Sequence, residues 1–248
     1  MNGAFWRRSA LALGLLVMAL LQGCASVQMA VKGDDPRDPL EPLNRHVHAF
    51  NDTVDALVAR PLAVAYVEAV PSLVRTGVGN VLSNLRDVWT LANATLQLKP
   101  QMAAETFMRI HVNTFLGIGG VFDVASEMRI PHHKEDFGQT LGRWGVPAGP
   151  YLVLPLLGPS SVRDALATPL DMKGDAVQQF GDAQTRTSLG VLRVVDTRAS
   201  LLKTVDAVRA AALDPYTFVR DAYLQKRLND VHDGNPPSTF DFSDPDQP

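Results

Sequence analysis

The chain has 248 residues, 46% hydrophobic and 20% charged, with a formal net charge of -3. That composition belongs to one large folded domain or two small ones and excludes a disordered protein. The near-neutral balance also excludes the basic surface a nucleic-acid partner requires, and a lone cysteine, Cys24, excludes an intramolecular disulfide.

At the N-terminus Arg7 and Arg8 precede an apolar run from Leu11 to Leu21, followed by Gln-Gly-Cys24. This is the layout of a secretory signal, and the run is shorter than the ~20 apolar residues of a spanning helix. Leu21-Gln-Gly-Cys24 resembles the bacterial lipobox, which implies cleavage before Cys24 and acylation of its sulfur and nitrogen. Several acyl chains, at ~0.8 kcal/mol per buried methylene, anchor a protein stably where one would not. Ala25, in place of an aspartate, resembles an outer-membrane sorting signal. The expected organisation is a signal peptide over 1–23, a polar tether over 24–37, a helical domain over 38–230 and an acidic, proline-rich disordered tail over 231–248.

Leu43, Val47, Phe50, Val54 and Leu57 alternate steps of four and three. That spacing predicts a helix starting near Asp38-Pro-Leu-Glu41, with Asp38 as N-cap, and stopping before Pro61. Leu73 to Leu98 reads as helix, interrupted around Gly77 and Gly79 and broken at Lys99-Pro100. Met102 to Phe115 continues helical into a glycine cluster. Leu116 to Pro159 is rich in glycine, proline and aromatics, which predicts a long functional loop or a second structural unit.

Inside that stretch Gly149-Pro-Tyr-Leu-Val-Leu-Pro-Leu-Leu-Gly-Pro159 is an apolar run split by Pro155. It is too short to cross a bilayer and is either ordinary core or a surface facing lipid. Ser161-Val-Arg-Asp164 predicts a capped helix start. The longest helical pattern runs from Thr187 to Leu213, and Asp214-Pro215 opens a last helix carrying Tyr216, Val219, Tyr223 and Leu228. No alternation at period two is convincing, although valine enrichment leaves room for a short strand at Tyr151 to Leu154. The expected fold is all-α.

Little here points to chemistry. Gly117-Ile-Gly-Gly120 and Gly77-Val-Gly79 complete no phosphate-binding pattern and read as close packing or sharp turns. His132-His133-Lys-Glu-Asp136, with Asp123 upstream, offers metal-ligand residue types without chelating spacing and reads as a solvated loop. There is no G-x-S-x-G; Gly158-Pro-Ser-Ser161 comes nearest, and capping explains Ser161 better than nucleophilic attack. A non-enzymatic protein without metal or cofactor is expected. Arg129, Arg143 and Arg163 flank apolar stretches, and two readings stay open for them: surface ion pairs, or contacts from Arg143 and Arg163 to lipid phosphate.

Several motifs in fixed order carry a family likeness. They are Asp38-Pro-Leu-Glu-Pro-Leu-Asn-Arg45, Phe50-Asn51, Arg60-Pro61, Asn113-Thr-Phe-Leu-Gly-Ile-Gly-Gly-Val-Phe-Asp123, Glu135-Asp-Phe-Gly-Gln-Thr-Leu-Gly-Arg-Trp-Gly145, the apolar run through Asp164, Asp214-Pro-Tyr216 and Arg220-Asp-Ala-Tyr223. Together, from about Asp38 to Leu228, the chain resembles the MlaA (VacJ) family of outer-membrane lipoproteins. The resemblance implies a ring-like bundle of amphipathic helices in the inner leaflet of the outer membrane, with an amphipathic channel and trimeric porins as partners. It further implies that stray outer-leaflet phospholipid, the transported ligand, passes through the channel to a periplasmic carrier protein. A porin-bracing lipoprotein without transport is the alternative.

Carried over residue by residue, the likeness implies channel or channel-control roles for Phe50, Asn51, Asn113, Gly117, Gly119, Gly120 and Asp123. Phe137, Gly138, Gly142, Gly145, Gly149, Pro150, Tyr151, Pro155 and Gly158 correspond to the segment that borders the pore.

Overall fold

A computed structural model describes residues 35–179 and 181–236. Cys24, the signal, most of the tether and the tail beyond residue 236 lie outside the described residues.

The first helix, α1 (Glu41–Val54), runs through a π-helical turn (Asp55–Ala59) into α2 (Arg60–Ala69). The helix therefore does not stop before Pro61. The amide of Arg60 steps back five residues to the Asp55 carbonyl, and Pro61 falls in the first turn of α2, where its missing N–H costs nothing. Asp38 is not the N-cap either: its carboxylate accepts from the Asn44 amide at 2.8 Å and from the Tyr216 hydroxyl. After Pro71, α3 (Ser72–Leu96) continues unbroken through Gly77 and Gly79, with Val121 packed closely over Gly77. α4 (Pro100–Phe115), the one-turn α5 (Val124–Glu127) and α6 (Phe137–Arg143) follow.

The short strand left open by the sequence is present. β1 (Tyr151–Leu154) pairs antiparallel with β2 (Gly158–Ser161), Val153 facing Pro159. β2 leads into α7 (Val162–Gly174), whose N-cap Ser161 accepts the Asp164 amide as expected. A 3₁₀ turn (Ala176–Gln179), α8 (Ala183–Ser200), α9 (Leu202–Ala211) and α10 (Pro215–Val231) complete the order, with Asp214 capping α10. The predicted single helix from Thr187 to Leu213 is thus two, broken at Leu201.

The folded unit is wider than 38–230. Arg37 supplies the carbonyl that takes the Tyr151 amide at 2.9 Å, and Val231 is buried at the end of α10. Asp233 accepts from Lys99 at 2.5 Å.

Neighbour relations close on themselves. α1 touches the π turn, which touches α2; α2 packs on α8, α8 on the 3₁₀ turn, that turn on α7, α7 on β1, and β1 on α1. Outside this circuit α9 packs on α8, and α10 packs on α6 and β2.

The distribution of polarity is inverted relative to a soluble protein. Buried positions carry Asn84, Asp87, Thr90, Asn93 and Gln97 along one stripe of α3, and Arg109 opposite them is 2% exposed. Large apolar side chains face out: Leu73 is 86% exposed, Leu98 87% and Phe115 76%. The predicted apolar stripe is split: Leu43, Phe50 and Leu57 are exposed, whereas Val54 is half-buried and Val47 packs against a buried cluster of Tyr151, Val153 and Tyr216. So many exposed large apolar side chains mark a surface that meets something other than water. Among the described residues no helix is long and apolar enough to cross a membrane.

Two glycines test the packing in opposite directions. A Cβ on Gly174 would lie 2.3 Å from the Trp89 ring, itself held by Asp171 at 2.8 Å. Gly174→Ala should cost ~1–3 kcal/mol of stability. Gly190, inside α8, has open space around its Cβ position, and Gly190→Ala should be neutral or stabilising by ~0.5–1 kcal/mol. Chemical unfolding of both variants in detergent, followed by circular dichroism, measures the difference.

Candidate functional site

The site begins with two asparagines two turns apart on α1. Asn44 donates to the Tyr151 carbonyl at 3.1 Å and accepts the Val153 amide at 2.9 Å. Asn51 donates to the Leu154 carbonyl at 3.0 Å and accepts the Leu156 amide at 2.8 Å. Each primary amide thus presents to β1 the donor and acceptor that a neighbouring strand would offer. Two helical turns rise ~11 Å and three extended residues span ~10 Å, so both amides reach the strand without distortion.

The hairpin is amphipathic in its own way. Tyr151 and Val153 are buried and form a cluster with Tyr216, flanked by Val47, Tyr223 and Leu224. Pro155, Leu156 and Leu157 form the exposed tip, and Leu156 holds a left-handed φ of 64° against Asn51. The apolar run is therefore core along one face of its strand and outer surface at its turn.

Beside it lies a cavity of about 430 Å³. One wall is apolar: Val205 and Val208 of α9 with Phe218, Val219 and Ala222 of α10. The other is charged, with Asp52 of α1, Asp55 of the π turn, Arg198 of α8 and Arg209 of α9; Pro159 of β2 also borders it. Arg198 grips Asp55 with two nitrogens at 2.5 and 2.9 Å, whereas Arg209 reaches Asp52 and Asp55 only at 3.3 and 3.4 Å. The break at Leu201 lets arginines from both helices converge on one carboxylate. Phe50 is half exposed on the outer surface and is not among the residues walling this cavity.

The glycine motif builds something else. Asn113 donates to Asp123 at 3.0 Å and accepts the Ala125 amide at 2.8 Å, while Arg109 clamps Asp123 at 2.9 and 3.1 Å. A Cβ on Gly117 would meet the Phe122 carbonyl at 2.2 Å, and one on Gly120, at φ 90°, would meet Asn84 at 3.0 Å. Gly119 has a φ of 69°. The motif is a locked turn against α3, and Val121, Phe122 and Asp123 border a separate apolar cavity of about 650 Å³ with Leu73, Val74 and Leu192. Burial works to raise the Asp123 pKa, but hydrogen bonds from Ser126 and Asn113 and the charge of Arg109 outweigh it, holding it at about 2.

The segment from Phe137 to Gly145 packs around an ion network. Arg227 of α10 binds Asp136 at 2.6 and 2.7 Å and Asp164 at 2.7 Å; Tyr223 donates to Asp164 at 2.5 Å and Arg163 donates to it at 2.9 Å. A Cβ on Gly138 would sit 2.4 Å from Arg227, and one on Gly142 2.6 Å from Arg163, which is why these two positions are glycine. Gly145, Gly149 and Gly158 have left-handed φ values of 91°, 68° and 84° and turn the chain into and within the hairpin; Pro150 accepts the Val162 amide at 3.1 Å. Arg163 is buried in this network and reaches the Val146 carbonyl, so the lipid-phosphate reading is corrected for it to a structural ion pair. Arg143 remains exposed at the end of α6.

The histidine loop is less solvated than expected. His132 meets Asp87 at 3.1 Å, His133 meets Glu105 at 2.5 Å, and Glu135 is buried against Gln97 and Lys99. Burial raises the Glu135 pKa against the pull of those two partners. Among the described residues no group of three His, Cys, Asp or Glu side chains is placed to hold a metal ion.

With this geometry in view, the comparisons decide the family. The model of the MlaA lipoprotein family matches residues 36–230. The chain belongs to the MlaA family. The intermembrane phospholipid transport system lipoprotein MlaA of Escherichia coli K12 is 38% identical over 228 residues, 89% of this chain and 86% of that one. The Haemophilus influenzae protein of the same description is 33% identical over 226 residues, 89% of each chain. A solved structure described as the structural basis for maintenance of bacterial outer membrane lipid asymmetry superposes with a TM-score of 0.65 at 34% identity, covering 80% of this chain and 99% of that one.

Within the MlaA frame, sequence reasoning missed Asn44, Arg109, Arg198, Arg209 and Arg227. Asn44 was recoverable, being two turns before Asn51 on the same face. Arg198, Arg209 and Arg227 were not, since each finds its carboxylate 63 or more residues away, and Arg109 reads as part of a helix face although Asp123 is only 14 residues on.

Two measurements follow from the site. Asn44→Ala leaves the Tyr151 carbonyl and the Val153 amide without partners and should cost ~1–3 kcal/mol per buried group, read by chemical unfolding. Burial opposes ionisation of Asp164, but Arg227, Tyr223 and Arg163 together lower its pKa from 3.8 to about 2. A depressed carboxylate pKa contributes stability that is full above the unfolded value and disappears as pH falls through the folded one. Of the order of ~2 kcal/mol should therefore vanish between about pH 4 and 2, and Asp164→Asn should flatten that slope in pH-dependent melting.

Proposed function

We propose that this protein removes mislocalised phospholipid from the outer leaflet of the outer membrane. It passes the lipid along an amphipathic channel beside the hairpin to a periplasmic carrier, for retrograde transport that keeps the membrane asymmetric. Acylated Cys24 anchors it to the inner leaflet, with trimeric porins beside it. The single observation that carries this reading is the inversion of polarity: buried polar side chains inside and large apolar ones exposed, with no spanning helix among the described residues. A body of that kind is stable when sunk partway into one leaflet, and a polar passage within it suits a headgroup while apolar walls suit the tails.

The role we infer is non-enzymatic. Ser161 spends its Oγ on the Asp164 amide, and Ser160 donates to the Ser161 carbonyl at 3.3 Å, which disfavours either as a nucleophile. No nucleotide motif supplies energy, so drive and direction come from another component of the transport system.

A strain lacking the protein should accumulate outer-leaflet phospholipid, measured by labelling surface-exposed aminophospholipid; unchanged asymmetry would sink the reading. Complementation with Asn51→Ala, which frees the hairpin tip, should restore porin association in pull-downs but alter lipid asymmetry. A protein that only braces porins would tolerate that change.

A further inference from the structure

The charged wall of the 430 Å³ cavity does more than hold helices together. Arg198 and Asp55 form a two-point pair that is mostly enclosed, their side chains 12% and 19% exposed. In front of it Arg209 and Asp52 meet only through one nitrogen at 3.3 Å, with side chains 35% and 50% exposed. The inner pair is fixed and the outer one is loose and open to exchange. Nη1 of Arg198 is buried and has no hydrogen-bond partner among the described residues, a donor that an acceptor entering beside the guanidinium would satisfy.

Asp52 and Asp55 face Arg198 and Arg209 two against two, Lys226 on the same lining has its ammonium engaged by Asp230, His48 lies 3.8 Å from Asp52, and the facing wall is aliphatic and aromatic. A bare anion would find its attraction to the arginines offset by the carboxylates and would leave the apolar wall unused. A zwitterion with an attached apolar body uses all three. We propose that this cavity is a headgroup subsite for zwitterionic, amine-bearing phospholipid: Arg209 and Arg198 take the phosphate, Asp52 takes the ammonium, and Val205, Val208, Phe218 and Val219 receive the start of the tails. Binding exchanges the weak Arg209–Asp52 contact for two charge-assisted bonds, one on each partner. This rests on the phospholipid reading above and adds to it a class preference and its place.

The test uses the full-length, lipidated protein purified in detergent. It is incubated with vesicles of equal phosphatidylethanolamine and phosphatidylglycerol and re-isolated, and its bound lipid is quantified by mass spectrometry. The wild type should retain the amine-bearing lipid over the anionic one by roughly fivefold, the worth of one charge-assisted bond. Asp52→Asn should bring that ratio near unity while bound lipid persists, because only the ammonium loses its acceptor. Arg209→Gln should lower both classes about tenfold. Both side chains lie at the surface, and melting curves matching wild type will separate lost binding from lost fold. Excess inorganic phosphate should leave the bound lipid in place, since it uses neither the carboxylates nor the apolar wall.

Lipid retained without class preference, a ratio untouched by Asp52→Asn, or displacement by inorganic phosphate would each overturn the subsite and leave the transport reading standing. Wild-type protein that retains no phospholipid of either class would overturn both.

Discussion

Asp164 is buried where α6, α7 and α10 meet, and it stays ionised only because Arg163, Tyr223 and Arg227 all aim at it. Arg227 at the same time holds Asp136, the N-cap of α6, so one guanidinium ties three helices together through two carboxylates. The same device recurs in Arg109 between Asp87 and Asp123, and in Arg220 between Asp35 and Asp38. Removing one partner from such a network strands a charge in low dielectric, which costs far more than the intact network contributes.

A fold built this way fits its surroundings. Where the outside of a helix meets hydrocarbon, burying an apolar side chain yields little net gain, and association rests on close packing and on polar contacts between helices. The glycines serve the first and the ion networks the second: Gly138 and Gly142 let Arg227 and Arg163 pass, Gly174 admits the Trp89 ring, and Gly77 receives Val121. The buried apolar residues are few, and several of them are alanines. The family frame and these contacts thus describe one design, in which polarity organises the inside and apolarity addresses the outside.

Much of this was legible in the sequence, though with its sign reversed. The stripe from Leu43 to Leu57 located α1, but Leu43, Phe50 and Leu57 mark its outer face, and the inward face is written in Asn44, Val47 and Asn51. On α3 the buried Asn84, Asp87, Asn93 and Gln97 have the spacing of a solvated face, and nothing local distinguishes water from polar partners on a neighbouring helix. Boundaries failed for local physical reasons. Pro61 ended a helix on paper because a π turn leaves no mark in the pattern, and a four-residue strand is too short to display a period. Leu201 breaks a helix whose apolar spacing continues past it, since the break serves arginines that bind a distant carboxylate. The glycine motifs were visible as motifs; only the packing says that they make room for side chains and not for a ligand.

The two-stranded hairpin has edges, and an unpaired strand edge in an apolar setting is costly to leave and ready to recruit another strand. Here both are blunted. Asn44 occupies the Tyr151 carbonyl and the Val153 amide, Asn51 occupies the Leu154 carbonyl, and Pro159, facing Val153, presents no N–H along β2. Both edges resist strand addition. Whatever packs against the hairpin from those sides meets side chains more than free backbone, and can slide or part without unzipping a ladder of backbone bonds.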